Sequence, residues 1–172
     1  VFTGVPSDQV FGGNYDLYVV ARDGSNLRRL TSDDAVDYEA AWSPDGSRIA
    51  FTSFRNGMRN VWVMNADGSN PQRLTDANVG GGNPGSGGSA GDAAWSPDGS
   101  KLVYVVGGPQ NSATLWIMNA DGSGKRPLTT SAIGNAYDPA WSADGLHIAF
   151  RREVGSPAQI SLAFVAATNG SW

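Results

Sequence analysis

The chain carries the phrase AWSPDG at residues 41–46, repeats it at residues 94–99 and repeats it again, as AWSADG, at residues 140–145. An Asp-Gly pair between apolar runs is among the strongest hairpin signals, because glycine adopts a positive φ at little cost. A motif that returns along a chain indicates a repeat architecture, which decides the fold before any single residue does. The phrase therefore predicts that similar β-structured units follow one another.

Two further phrases belong to the same repeat. An apolar run closed by an Asp-Gly or Asn-Gly turn occurs at residues 17–25, 61–69, 115–123 and, more loosely, 163–171. A Leu-Thr ending follows three of these copies, at residues 29–31, 73–75 and 127–129. The turn glycines are Gly24, Gly68, Gly122 and Gly170, which lie 44, 54 and 48 residues apart. This period suits a four-stranded propeller blade of roughly 40–45 residues once a long insertion is removed.

The insertion is a glycine-rich stretch at residues 78–91, which we expect to be a flexible surface loop. Elsewhere, Gly or Pro interrupts every stretch of helical length, so no amphipathic helix is predicted. We predict an all-β fold in a single domain over residues 1–172. Its repeat units are expected at residues 1–31, 39–75, 92–129 and 138–172.

Composition excludes several classes of function. The 172 residues include 16 acidic and 12 basic residues, one histidine and no cysteine, with a net charge of −4. A nucleic-acid partner is not expected, because DNA binders usually carry a clustered basic footprint. Without cysteine the chain has no disulfide, zinc-thiolate site or cysteine nucleophile. No apolar run approaches the roughly 20 residues that span a bilayer, so no transmembrane segment is expected in these residues.

These phrases resemble the PD40 class of WD40-like β-propeller repeats, the repeats of TolB-like proteins. The resemblance rests on AWSPDG, on IAFT at residues 49–52, on the strand that ends in NADGS, and on Arg-Leu-Thr. It covers nearly the whole chain and implies a β-propeller of PD40-type four-stranded blades. It leaves the function open, because the class occurs in partner-binding periplasmic proteins, peptidase gating domains and polysaccharide lyases, and fold does not imply function.

The repeat accounts for fourteen strands rather than sixteen. Residues 1–4 align with the second strand of a blade, and the sequence stops at Trp172 before a fourth strand of the last blade. Three arrangements fit: a four-bladed propeller with incomplete first and last blades, an open arc completed by a partner, or part of a longer chain. We favour the four-bladed propeller, because an exposed strand edge is an aggregation liability that an open arc would have to cover.

Three carboxylates are the candidate binding residues. Glu39, Asp92 and Asp138 each lie three residues before the repeat tryptophan, in the connection that enters the first strand of a blade. If that strand is innermost, as the resemblance implies, they would ring one mouth of a central channel. Such a ring would attract Ca²⁺ or a basic group of a partner. The alternatives are independent solvated carboxylates and, for paired carboxylates, glycoside hydrolysis.

Aromatic residues recur at two positions of the repeat. Trp42, Trp95 and Trp141 share the first position, and Tyr18, Trp62, Trp116 and Phe164 share the second. We expect both sets to pack between blades, with stacking on sugars as the alternative. The aspartates of the Asp-Gly pairs are expected to form turns.

Two further residues match functional patterns. His147 aligns with Arg48 and Lys101 and is expected to face solvent, with a pH-sensing or ligand role as the alternative. Ser89 lies in a Gly-x-Ser-x-Gly pattern, but a nucleophile elbow needs a strand before it and a helix after it. No catalytic residue is predicted.

We therefore expect a non-enzymatic protein-binding scaffold without a cofactor. Resemblance to TolB-like proteins implies a periplasmic or otherwise extracytoplasmic location and a protein partner in a larger, membrane-associated complex. The segments that vary between units, residues 7–15, 76–91 and 106–113, are loops, where recognition on rigid scaffolds usually occurs. The alternatives are a carbohydrate-active or peptidase-associated propeller domain and a lectin-like binder, although the chain offers no evident nucleophile–base pair or histidine metal cluster.

Overall fold

The structure, a computed structural model, describes residues 1–4, 15–55, 57–76, 89–108, 112–155 and 158–167. These residues form fourteen strands in four antiparallel sheets, with one short 3-10 turn at Ser131–Ile133. The all-β architecture and the number of strands confirm the sequence prediction. No helix in this described part of the chain is long and apolar enough to cross a membrane.

Each sheet corresponds to one repeat unit, or blade. Blade 1 contains β1 (Phe2–Gly4), β2 (Asp16–Val19) and β3 (Arg28–Arg29). Blade 2 contains β4 (Asp37–Trp42), β5 (Arg48–Ser53), β6 (Asn60–Asn65) and β7 (Gln72–Arg73). Blade 3 contains β8 (Ser89–Trp95), β9 (Lys101–Gly107), β10 (Ala113–Asn119) and β11 (Arg126–Pro127). Blade 4 contains β12 (Asn135–Trp141), β13 (His147–Val154) and β14 (Gln159–Ala166).

The strands of each blade are hydrogen-bonded in chain order, so every blade is a simple meander. The first strands of neighbouring blades contact each other, β4 with β8 and β8 with β12. The first strand is therefore innermost, and each blade runs outward from it. Within the described residues, blade 1 has no first strand and blade 4 has no fourth strand, as the repeat predicts.

Apolar residues of the second and third strands fill three cores, one between each pair of consecutive blades. Leu17, Ile49, Phe51 and Met64 form the core between blades 1 and 2. The next two cores are built around Tyr104 and around Phe150, each with aliphatic neighbours from both blades. Burying one such side chain contributes about 1.5–3 kcal/mol, so stacking of blades stabilises sheets that could not bury both faces alone.

The meander gives the molecule two sides. Asp-Gly turns join first to second and third to fourth strands, and we call the side that they occupy the turn side. The hairpins between second and third strands and the connections between blades lie on the opposite, loop side. The three variable segments all leave the described strands on the loop side, although most of their residues lie outside the described part of the chain.

The blades form an arc. The main contacts between sheets run from each blade to the next, and no comparable contact joins blade 1 to blade 4 within the described residues. Among the described residues the four blades therefore form an arc without closing into a ring, which fits both an open arc completed by a partner and part of a longer chain. The outward face of β14 carries the exposed side chains Ile160, Leu162 and Phe164, which a closed ring would bury.

The innermost strands begin two or three residues before the predicted units, at Asp37, Ser89 and Asn135. The last residues of the predicted flexible insertion, Ser89 to Gly91, are consequently part of β8 rather than of a loop. The Ala90 N–H donates to the Arg59 carbonyl at 2.9 Å, and Gly91 pairs with Val105. Residues 78–88 lie outside the described part of the chain.

Candidate functional site: the carboxylate row and the loop-side patch

The three candidate carboxylates lie inside the innermost strands: Glu39 in β4, Asp92 in β8 and Asp138 in β12. Each lies at a β-bulge, where pairing with the second strand shifts register. Their φ angles are 53°, 52° and 52°, in the left-handed region that residues other than glycine seldom adopt. The expectation that they belong to the connections entering the strand is therefore wrong. We call these three residues the carboxylate row.

The row bonds one blade to the next. The backbone N–H of Asp92 donates to Glu39 Oε2 at 2.9 Å and to Thr52 Oγ1 at 3.1 Å. The Thr52 hydroxyl donates to the same Glu39 oxygen at 2.8 Å. One blade later, the backbone N–H of Asp138 donates to Asp92 Oδ2 at 2.8 Å. The bulges of blades 3 and 4 thus each present a backbone donor that the carboxylate of the preceding blade accepts.

Two arginines flank the row. A terminal nitrogen of Arg59 lies 3.0 Å from Glu39 Oε2, and Arg151 Nε lies 2.5 Å from Asp138 Oδ2. Their guanidinium groups stack over the tyrosines that precede the carboxylates, at 5.7 Å from the ring centre of Tyr38 and 4.6 Å from that of Tyr137. The ends of the row are therefore neutralised within the chain, whereas Asp92 forms no ion pair with another residue in the described part of the chain.

Gly91 allows Arg59 to reach the row. Gly91 occupies the bulge position that Tyr38 and Tyr137 hold in the other blades. A Cβ atom on Gly91 would lie 2.4 Å from Arg59 Nε and 2.7 Å from Thr52 Oγ1. Glycine at this position thus leaves room for the Arg59 side chain of the preceding blade where it lies in the structure.

Asp92 is the electrostatically unusual member of the row. Burial, together with the negative charges of Glu39 and Asp138, raises the pKa of Asp92 to about 6, against the opposing effects of the Asp138 N–H and of Arg59. A carboxyl group with this pKa carries a proton part of the time near neutral pH. The structure thus brings the three predicted residues together as a connected row.

The oxygens of the row are engaged largely in holding the blades together. No group of three or more His, Asp or Glu side chains in the described residues is arranged to hold a metal ion. The predicted binding of Ca²⁺ or of a basic partner group at Glu39, Asp92 and Asp138 stays a prediction.

Beside the row, on the loop side, lies an apolar depression that the sequence analysis missed. Tyr15, Val36, Tyr38 and Phe54 line it together with Glu39, around a volume of about 520 Å³. The rings of Tyr38 and Phe54 stack with centres 6.1 Å apart and planes at 16°. We call Tyr15, Val36, Tyr38 and Phe54 the loop-side patch. In the sequence, the sign of this patch is Phe54, an aromatic residue directly after β5, where a hairpin usually carries a polar residue.

An acidic segment borders this patch and is fixed by one arginine. Arg55 lies 2.7 Å from Asp33 and 2.8 Å from Asp37, and Asp37 is fully buried. Asp34 is exposed beside them. The patch therefore combines exposed aromatic surface with an acidic rim.

The Asp-Gly residues are turn formers, as predicted. Asp45 accepts the Ser43 hydroxyl at 2.6 Å and the Ser47 N–H at 3.0 Å, and Asp98 repeats both bonds with Ser96 and Ser100. These bonds favour the ionised form and lower the pKa of both aspartates to about 2.

The repeat tryptophans pack between blades where a preceding innermost strand exists. The indole N–H of Trp95 donates to the Ala41 carbonyl at 3.1 Å, and that of Trp141 donates to the Ala94 carbonyl at 3.1 Å. Trp42 follows blade 1, which has no described innermost strand, and is more exposed. The prediction of inter-blade packing holds best for Trp95.

Phe164 does not occupy the second aromatic position. Strand pairing places Trp62 opposite Phe51 and Trp116 opposite Tyr104, but it is Ala163 that lies opposite Phe150. Because side chains alternate along a strand, a difference of one residue turns Phe164 to the outward face.

Two further motif residues, His147 and Ser89, lie in strands within the part of the chain that the structure describes. His147 is exposed at the start of β13, in register with Arg48 and Lys101, as expected. Ser89 opens β8 rather than a strand-to-helix turn, so it lacks the setting of a nucleophile elbow.

Comparison with known proteins gives similarities over most of the chain. The family described as the TolB beta propeller domain, PD40, matches residues 9–85. The Tol-Pal system protein TolB of Anaeromyxobacter dehalogenans strain 2CP-C is 32% identical over 130 residues, which are 75% of this chain and 27% of that protein. The chain thus spans about a quarter of the length of the curated relatives that it matches.

Solved structures share the fold at low identity. The putative TolB from Agrobacterium tumefaciens superposes with a TM-score of 0.74 at 20% identity, covering 95% of this chain and 57% of that one. The oligogalacturonate lyase from Vibrio parahaemolyticus superposes with a TM-score of 0.64 at 18% identity, covering 92% of this chain and 42% of that one. The same arrangement of blades thus occurs in proteins with different functions.

Proposed function

Since this chain is a PD40-type β-propeller repeat protein with a TolB-like fold, we propose that it is a non-enzymatic scaffold whose loop side docks a protein partner in a larger assembly. The observation that carries the proposal is the loop-side patch. Exposed aromatic residues around a depression are the usual anchors of protein interfaces. The turn side is formed by the repeated Asp-Gly turns, and its depression of about 690 Å³ between blades 3 and 4 is lined by charged residues such as Asp98, Lys101 and Arg126 rather than by clustered aromatic residues.

The charge of the chain indicates the kind of partner. Asp33 and Asp34 border the loop-side patch, and the whole chain carries a net charge of −4. Such a surface complements a partner with basic residues, and its main effect is on the rate of association. We therefore propose a partner with a basic rim around an apolar contact.

The similar protein from Anaeromyxobacter dehalogenans supports a cellular location for this chain. It is named as a protein of the Tol-Pal system. We propose that this chain is also extracytoplasmic and periplasmic. It would belong to a membrane-associated complex, which it joins by binding its partner.

Site-specific photo-cross-linking in the native source tests this function. Amine-reactive reagents suit the loop side poorly, since the two lysines, Lys101 and Lys125, both follow Asp-Gly turns on the turn side. We would place p-benzoylphenylalanine at Tyr15 or Phe54, and at the exposed Leu146 of the turn side as a matched control. The proposal expects one defined protein to cross-link from Tyr15 and Phe54 and not from Leu146. Equal cross-linking from all three positions, or none, would contradict it.

A further inference from the structure

A polar hollow lies on the loop side, one blade after the loop-side patch. Among the residues that line it are Arg59, Ser89, Gly107, Ser112 and Tyr137, around a volume of about 420 Å³. We propose that this hollow binds the carboxylate of an Asp or Glu side chain of the protein that docks on the loop-side patch, and that Arg59 pairs with it. The inference rests on the proposed function and deepens it, because it names the chemistry that the partner brings to the neighbouring site.

The hollow and the patch occupy the same place at successive junctions between blades. In blade 3, Gly107 pairs with Ser89. At the corresponding place in blade 2, the Phe54 N–H donates to the Val36 carbonyl at 3.1 Å. Phe54 and Val36 belong to the patch and are large and apolar, whereas Gly107 and Ser89 are small. The junction after the patch therefore has a polar space where the patch has an aromatic surface.

Arg59 differs from the other arginines that reach an innermost strand. Two of these arginines each bridge two carboxylates: Arg55 with Asp33 and Asp37, and Arg151 with Asp138 and Glu153. Within the described residues Arg59 forms an ion pair with Glu39 alone, and its Nε has no hydrogen-bond partner there. A guanidinium group has five N–H donors and can bind a second carboxylate while it keeps the first.

Blade 4 shows where the second carboxylate belongs. Glu153 pairs with the first residue of β12, and Gly107 pairs with the first residue of β8, so the two residues hold the same position in their blades. Glu153 supplies Arg151 with its second carboxylate, whereas Gly107 has no side chain to offer Arg59. An incoming carboxylate would fill the space that Gly107 leaves and could also accept the Ser89 hydroxyl.

Arg59 joins the hollow to the patch. Its guanidinium lies 5.7 Å from the ring centre of Tyr38, a patch residue, and its ion-pair partner Glu39 lines the depression of the patch. Phe54, on which Tyr38 stacks, borders the depression of Asp33 and Asp34. A partner that fits both features carries basic residues near Phe54 and an acidic residue near Tyr38.

Binding of a blocked amino acid to the 172-residue chain tests the proposal. The probe is N-acetylglutamate α-amide, which carries a single side-chain carboxylate. The measurement is the change in the NMR signals of the backbone amides of Ser89, Gly107 and Gly108. The matched control is N-acetylglutamine α-amide, which has the same shape without the charge. We expect saturable changes with the probe, and binding of the control at least about tenfold weaker.

Protein variants locate the site. Arg59→Lys keeps the charge but loses the planar fork, so it should weaken probe binding severalfold. The matched control is Arg22→Gln, at an exposed arginine of the turn side, which should leave binding unchanged. Gly107→Glu places a carboxylate of the chain where blade 4 has Glu153, and it should abolish probe binding. Should Arg59→Lys fail to fold, the two probes on the unchanged chain decide alone.

Absence of saturable changes, equal binding of the two probes, or full binding to Gly107→Glu would overturn the proposal. In the native source, Arg59→Gln should reduce cross-linking from p-benzoylphenylalanine at Tyr15 severalfold. Unreduced cross-linking would overturn the inference and leave the proposed function standing. Absence of any cross-link from Tyr15 and Phe54 in the unchanged chain would contradict the proposed function, whereas probe binding by the isolated chain would still support the carboxylate site.

Discussion

One repeat position gives the tryptophans two environments. Trp95 is 7% exposed and donates to the Ala41 carbonyl, with the guanidinium of Arg48 4.7 Å from its ring centre. Trp42 is 37% exposed. The sequence predicts the shared position but not this difference, because burial depends on whether an innermost strand precedes the blade.

Replacing each tryptophan with alanine tests whether its burial, rather than its place in the repeat motif, determines its contribution to stability. Trp95→Ala should lower the free energy of unfolding by about 3–5 kcal/mol, since it leaves a cavity between blades 2 and 3. Trp42→Ala, the matched control, should cost clearly less, about 1–2 kcal/mol, because less of its surface is buried. Urea unfolding measures both. A loss below about 1 kcal/mol at Trp95 would refute its place in the core.

Asp92 is a residue whose ionisation opposes folding. Burial, with Glu39 and Asp138 nearby, raises its pKa from 3.8 to about 6. A carboxyl group whose pKa rises on folding contributes stability that is complete below pH 3.8 and is lost as the pH rises through 6. Asp92→Asn should therefore raise the free energy of unfolding at pH 7 by about 1 kcal/mol, after allowance for solvent screening, and change it little at pH 4.

The control for Asp92 is Asp98, where hydrogen bonds from Ser96 and Ser100 lower the pKa to about 2. Its contribution is present above pH 3.8 and is lost as the pH falls through 2, so the sign is opposite. Asp98→Asn should destabilise the chain at pH 7. Urea unfolding at pH 4 to 7 compares both variants with the unchanged chain, and a destabilising Asp92→Asn at pH 7 would contradict the account.

The fourth strands of blades 1, 2 and 3 are short, yet they complete the hydrogen bonding of their sheets. The Thr129 hydroxyl accepts the buried N–H of Leu115 at 2.9 Å. Thr129→Val keeps the shape but leaves that donor without its acceptor, which should cost about 1–3 kcal/mol. Thr130→Val, at the exposed neighbour, is the control and should change stability by less than about 0.5 kcal/mol. Thermal unfolding of the two variants distinguishes them, and equal melting temperatures would refute this role.

The positions of the strands along the chain could be predicted from the sequence more securely than the face of the sheet on which each side chain lies. The Asp-Gly turns locate the hairpins, and the all-β fold follows from them. Register at the last strand could not be predicted, because Phe164 is aligned by its distance from Gly170, whereas pairing with Phe150 selects Ala163. For a related reason, the sequence predicts the three carboxylates of the row in the connections before the innermost strands, although they lie within those strands. A bulge adds a residue to the strand that the alternating pattern does not show.

At the scale of the molecule, repeats predict neighbouring blades but not closure. Each motif specifies one blade and its contact with the next, so no single motif encodes closure. The loop side, with its aromatic patch, is the surface that we propose for a partner. The predicted site residues Glu39, Asp92 and Asp138 contribute mainly by joining blades, whereas the loop-side patch arises from residues of three separate segments.

The native mass of the chain in its source tests the central claim, that it is a docking subunit. We would purify it gently and measure its mass by size-exclusion chromatography with light scattering, beside a Tyr15→Ser, Phe54→Ser double variant. The account predicts a defined assembly well above the mass of the denatured polypeptide for the unchanged chain, and release of the double variant from it. An unchanged chain that elutes alone at the mass of its own denatured polypeptide, or a double variant that stays in the assembly, would contradict docking through the loop side.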